Sequence, residues 1–194
     1  MSTLKVDTIL KRTGTGTITV GQSGDTIALP AATLTTPLPA ASGGTGSTTA
    51  PNNTPAFFAS LSSNTSTSSG SYTKLVFDNE VFDSDNKYDT SNGRFTPGVA
   101  GKYYIGAKHR IDTSTNATAT ILAIYKNGST FQRARFTLDN SEEYFFACVL
   151  DLDADDYVEV YAYQNSGGSV NVSGGTLGSD DTVAFMFGYK LIGA

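Results

Sequence analysis

The chain predicts an all-β fold, a sandwich or jelly roll, on three observations. Charged residues make up only 16% of 194 residues, with 20 glycines, 11% aromatics and no tryptophan. That balance suits short strands joined by many turns and lacks the Glu, Lys, Leu and Ala that long amphipathic helices need. From residue 55 onward the apolar residues come in short runs parted by Gly, Pro, Asn and Asp, the punctuation of a many-stranded domain. The block from Asn86 to Ile105 packs a turn, a short strand, a second turn and a strand entry together. In it, Asp89 to Gly93 is left-handed turn chemistry, Pro97-Gly98 and Gly101 break the run, and Tyr103-Tyr104 open an aromatic strand.

Residues 1–54 differ in kind from residues 55–194. Thr15 to Val20 alternates polar and apolar side chains, Gly21 to Asp25 is a turn, and Thr26 to Pro30 reads as a second strand. The stretch from Ala40 to Thr54 is a Gly/Ser/Thr linker by composition. Ile18, Val20, Ile27 and Leu29 supply too thin an apolar face for a core, and a lone two-stranded unit is marginal in water. The arm is therefore expected to pack between molecules.

Residues 55–194 read as one compact β domain. Ala56 to Leu61 opens it, and Thr65 to Ser71 is a Ser/Gly loop. Strands are expected at Lys74 to Phe77, Val81-Phe82, Arg94 to Thr96, Gly101 to Ile111 and Thr118 to Tyr125. After the turn Lys126 to Ser129 come Phe131 to Leu138, Glu143 to Leu152, Tyr157 to Tyr163 and a long closing strand, Thr182 to Ile192. In that last strand Val183, Phe185, Phe187 and Tyr189 share one face, while Ala184, Met186 and Gly188 share the other. A monomeric sandwich would put polar residues outside. With both faces apolar, one covers the core and the other meets another subunit. Phe57, Tyr103, Phe145, Tyr161, Phe185, Phe187 and Tyr189 are the candidates for core or subunit interface.

The net charge is −5 and no run of Lys and Arg stands out, so nucleic acid is not an expected partner. No apolar stretch is long enough to cross a bilayer, and Met1 to Asp7 lacks a hydrophobic signal core. The only cysteine, Cys148, sits in the apolar run Tyr144 to Leu150 and reads as a core thiol. The only histidine, His109, is flanked by Lys108 and Arg110 and reads as structural, not as a general base. Asp151 to Asp156 copies the start of a calcium loop, but Asp156 falls where that loop needs glycine and Ala162 where it needs a bidentate Glu. Glu142-Glu143 point to opposite strand faces, and Asp83 and Asp85 sit in a turn-rich segment, so neither pair makes the facing carboxylates of a glycosidase. No cofactor and no enzymatic activity are expected.

Tyr88-Asp89, Gly93 to Thr96 and Val99 to Tyr104 resemble the core signature of complement-one-q-like globular heads, relatives of the tumour necrosis factor jelly roll. Leu122 with Lys126 to Gly128, Ala184 to Leu191 centred on Gly188, and Ala56 to Ala59 resemble that family's hairpin, closing and opening strands. Ile105 stands where an aromatic is usual, and Asp155 takes the glycine place of a "Gly-Asp-x-Val" turn, where a left-handed Asp is expected to serve. The resemblance implies a jelly-roll homotrimer over 55–194, with calcium a candidate ligand at Asp151, Asp153 and Asp155. Ser2 to Ile9 and the Ala41 to Gly46 linker resemble the arms of bacteriophage tail-fibre and related virion proteins.

Together these readings predict a virion-anchoring arm, residues 1–54, carrying a trimeric head, residues 55–194. The function expected is that of a phage structural protein assembled in the bacterial cytoplasm. Its arm would meet other virion proteins and its head a host receptor or glycan, with Tyr163, Gln164 and Asn165 as candidate contacts. A capsid decoration protein is the alternative, and an envelope depolymerase ranks behind both.

Overall fold

The computed structural model describes residues 53–112, 119–137, 142–177 and 181–192. The arm expected over 1–54 lies outside them, apart from Asn53 and Thr54. In chain order the strands are β1 (Ala56–Ser60), β2 (Thr65–Thr67), β3 (Tyr72–Leu75), β4 (Asn79–Asp83), β5 (Tyr88–Asp89), β6 (Arg94–Phe95), β7 (Gly101–Asp112) and β8 (Thr120–Lys126). They continue with β9 (Ser129–Phe136), β10 (Glu143–Leu152), β11 (Val158–Gln164), β12 (Val170–Val172), β13 (Thr176–Leu177), β14 (Asp181–Thr182) and β15 (Phe185–Lys190).

The first sheet runs β2-β12-β7-β15-β1-β4, and β10 pairs with the other edge of β7. The second runs β5-β6-β11-β8-β9, with β3 also on β11. Their facing sides form one core. Phe57, Ile105, Leu150 and Met186 come from the first sheet, and Leu75, Phe95, Leu122, Ile124, Val158 and Val160 from the second.

Strict alternation makes this arrangement. On β7, Tyr103, Ile105, Ala107, His109 and Ile111 are buried, while Tyr104, Lys108 and Arg110 face outward. The aromatic block from Asn86 to Ile105 converges on one point of the core. Phe57 stacks on Tyr88 with ring centroids 4.7 Å apart and on Phe95 at 4.5 Å. Phe95 meets Tyr103 edge-on at 5.7 Å, and the Tyr103 hydroxyl donates to the Val99 carbonyl at 2.6 Å. The turn before Phe95 is held by Asp89, whose carboxylate accepts from Ser91 N at 2.9 Å and from Asn92 Nδ2 at 2.8 Å. Gly93 closes that turn at φ 62°. A Cβ there would lie 2.8 Å from Val76 Cα, so the backbone approach itself requires glycine.

Asn127-Gly128 joins β8 to β9 with φ values of 52° and 76°, the left-handed pair of a two-residue hairpin. Asp155 is not left-handed: among the described residues the non-glycine positions with positive φ are Asn86 and Asn127. The glycine place in that turn therefore asks for no special backbone. Two strand expectations also change. Thr65–Thr67 is a strand, not loop, because β12 pairs with it from Val170 to Val172. The closing strand is interrupted at Val183 and Ala184, between β14 and β15.

Candidate functional site

The second apolar face expected of the closing strand lies on the outer side of the first sheet. β15 turns Met186 and Gly188 inward, so Phe185, Phe187 and Tyr189 point away from the core. Register then sets their neighbours. Phe187 lies opposite Gly106, Phe185 opposite Lys108, and Tyr189 opposite Tyr104. Across β7, Lys108 meets Phe145 and Tyr104 meets Val149. On the other flank Phe58 of β1 lies opposite Phe187 and beside Phe82 of β4.

The result is a continuous aromatic layer. Phe58 and Phe185 have ring centroids 5.0 Å apart, Tyr104 and Tyr189 5.7 Å, and Phe145 lies nearly parallel to Phe187 at 6.2 Å. Gly106 makes the last contact: a Cβ there would stand 2.5 Å from Phe187 Cε1 and 3.2 Å from Phe145 Cε2. Phe82 is 51% exposed, Phe145 47% and Val149 48%. Lys108 stands within the layer; it pairs with Glu143 at 2.8 Å and lies 5.1 Å from the Phe185 ring centroid.

The residues expected at core or interface therefore part company. Phe57 and Tyr103 are core. Phe145, Phe185, Phe187 and Tyr189 share the outer face of the first sheet, and Tyr161 lies on the outer face of the second. Phe58, Phe82, Tyr104 and Val149 belong to the aromatic layer and were not singled out from sequence. Alternation carried a signal for Phe58 and Tyr104, each next to a residue expected at core or interface that the structure places in the core. Phe82 stands in a short, polar-flanked strand that shows no such pattern.

The other candidate residues are accounted for differently. Gln164 is fully buried and does not reach solvent. Its Nε2 donates to the Thr67 and Gly168 carbonyls at 3.1 and 2.9 Å, and its Oε1 accepts from Ser166 N at 2.6 Å. It joins loops instead of contacting a receptor. Asn165 Oδ1 accepts from Ala119 N at 2.9 Å, and only Tyr163 of that trio turns its ring outward. Asp151, Asp153 and Asp155 do not converge: Asp151 is the exposed next-to-last residue of β10, and the other two lie in the turn beyond. Among the described residues no three His, Cys, Asp or Glu side chains come together in a metal-binding group.

The cluster's structural work falls to Asp156, which accepts from Lys126 Nζ at 2.7 Å, Asn127 Nδ2 at 2.6 Å and Asp153 N at 2.7 Å. Its carboxyl is held down to about 2, first by Lys126 and then by Asn127. His109 is fully buried against the Tyr144 ring, with Nε2 2.9 Å from Thr120 Oγ1. The Thr120 hydroxyl donates to the Tyr163 carbonyl, so His109 Nε2 carries the proton in this pair. Burial pushes the imidazole down to about 3, which keeps it neutral near pH 7. Cys148 is half-buried against the core, and burial pushes its thiol up to about 11.

The C1q domain family model matches residues 56–181, from β1 through the start of β14. The chain belongs to the C1q domain family. Among curated proteins it is 31% identical over 111 residues to the phage-like element PBSX protein XkdV of Bacillus subtilis (strain 168), a match covering 52% of this chain and 16% of that one. It is 30% identical over 105 residues to the uncharacterized protein YqcC of the same strain, covering 50% of this chain and 29% of that one. The chain thus spans less than a third of the length of either relative. Among solved structures, murine APRIL superposes with a TM-score of 0.52 at 14% identity, covering 70% of this chain and 98% of APRIL. At that identity the likeness is one of fold, the jelly roll.

Proposed function

We propose that this chain is a structural and binding component of a phage or phage-derived particle, a homotrimeric fibre or spike head that contacts the host surface. One observation carries the reading: the aromatic layer of Phe58, Phe82, Phe145, Phe185, Phe187 and Tyr189, which a single chain leaves partly open to water. Burying each such side chain is worth about 1.5–3 kcal/mol, and monomers rarely expose contiguous apolar patches of this kind. Closure around a threefold axis hides the layer of every copy at once. Similarity to a phage-like element protein supports the particle. In this reading residues 1–54 attach the trimer to other virion proteins, and the head works by binding, without catalysis.

The test is to induce particles and label this chain with antibody for electron microscopy, while light scattering measures the mass of the purified full chain. Label at the tail tip and a mass three times the 20.4 kDa chain are expected. Label spread over the head shell would replace the fibre reading with capsid decoration, and absence from particles would end both.

A further inference from the structure

The second sheet also has an outer face, and its chemistry differs from that of the first. Strand register places Lys74, Tyr161, Ala123 and Arg133 in one row across β3, β11, β8 and β9. Tyr72, Tyr163, Ile121 and Arg135 form the next row. The tyrosines touch: Tyr125 and Tyr161 have centroids 4.1 Å apart, Tyr72 and Tyr163 5.3 Å, and Tyr72 and Tyr125 6.1 Å. Arg133 Nη1 donates to the Tyr72 hydroxyl at 2.8 Å. At the β6 edge, Arg94 lies over the Tyr157 ring and lines a cavity of about 300 Å³ together with Lys87, Asp89 and Thr96.

Charge here runs against the chain's net −5. Glu159 is engaged by Lys74 and Arg94, and Asp89 accepts hydrogen bonds within its own turn. Among the described residues, Lys87, Arg133 and Arg135 have no carboxylate partner. Tyrosine rings offer flat apolar area with a polar edge, and arginine forks match carboxylate and phosphate groups. A sugar polymer with occasional negative charges needs that combination. A nucleic acid, charged at every nucleotide, is disfavoured by the acidic chain.

We infer that the outer face of the second sheet binds an acidic polysaccharide, with sugar rings on the tyrosine cluster and anionic groups on Arg133, Arg135 and the Lys87–Arg94 cavity. This rests on the host-binding reading above and gives it a ligand class and a site. Trimer closure through the first sheet leaves the face open three times per head, so weak sites add avidity.

The full chain is tested for binding to immobilised polygalacturonate, which carries carboxylates, and phosphomannan, which carries phosphates. Neutral dextran, poly-glutamate and a single-stranded oligonucleotide serve as comparisons. At least one acidic polysaccharide should bind about tenfold or more tighter than all three comparisons, and salt should weaken it. The double variant Arg133→Glu/Arg135→Glu should lose that binding about tenfold with unchanged melting, because both side chains are exposed. Tyr163→Ser should weaken it without altering the salt dependence. Retention of neither acidic polysaccharide, equal binding to poly-glutamate, tighter binding to the oligonucleotide, or an unaffected double variant would each overturn the inference. Adsorption to host cells separates the two readings. If the variant adsorbs like the unaltered chain, the site is wrong and host binding stands. If the unaltered chain binds polysaccharide but no host cell, host binding is wrong and the site stands.

Discussion

Glu159 is 3% exposed on the outer side of β11, where a carboxylate would be costly without partners. Lys74 Nζ lies 2.6 Å and Arg94 Nη2 2.8 Å from the same Oε1. Burial pushes the carboxyl up, but hydrogen bonds and charge from Lys74 and Arg94 outweigh it, and the group ends below its ordinary 4.5. A depressed folded value means that the stabilisation is complete above the unfolded value and is lost as pH falls through the folded one. Glu159→Gln should therefore cost about 1–2 kcal/mol at neutral pH, because it leaves two cations facing a neutral amide. Its melting temperature should also fall less than the unaltered chain's as the medium is taken from pH 6 to about 3, and parallel melting curves would show that the triad contributes nothing. The triad was not legible in the sequence, since Lys74, Arg94 and Glu159 are far apart along the chain and only the β3–β11 and β6–β11 pairings bring them together.

At the scale of elements, β7 and β15 are fitted to each other by two glycines. Gly188 lies opposite Ile105 on the core side, and Gly106 opposite Phe187 on the outer side. A Cβ at Gly188 would collide with the Ile105 side chain and the Phe57 ring. Gly188→Ala should thus destabilise the fold by about 1–3 kcal/mol in denaturant titrations at fixed protein concentration; an unchanged midpoint would mean that the core gives way easily. Gly106→Ala meets the outer rings instead, and it should weaken assembly more than it lowers the stability of the single chain. The strands themselves were largely readable. Glu143–Leu152 has the expected ends, Gly101–Asp112 runs one residue further than expected, and Val158–Gln164 is shifted by one residue at each end. β2 and β12 were missed because each is three residues long and owes its strand character to pairing, β2 with β12 and β12 with β7.

For the whole molecule, the decisive asymmetry is between the two outer faces. The first sheet presents aromatics with the Lys108–Glu143 ion pair, and the second presents tyrosines among cations. Apolar faces favour permanent contacts, while mixed polar and aromatic faces suit reversible ones. For the proposed trimer, Phe145→Arg should therefore break assembly and give the 20.4 kDa mass of one chain. Phe131→Arg, at an equally exposed phenylalanine on β9, should leave the trimer intact. Light scattering that finds both variants trimeric would place the interface elsewhere.

The two-residue period of Phe185, Phe187 and Tyr189 against Ala184, Met186 and Gly188 was visible in the sequence, as were the turns at Asp89–Gly93 and Asn127-Gly128 and the all-β family likeness. Periodicity states which side chains share a face but not which face meets the opposite sheet. That choice was made by register: Gly188 had to clear Ile105 and Phe57, so the small residues turned inward and the rings outward. The burial of Gln164 and the separation of the three aspartates were decided the same way, by loops and strand ends whose positions depend on contacts distant along the chain.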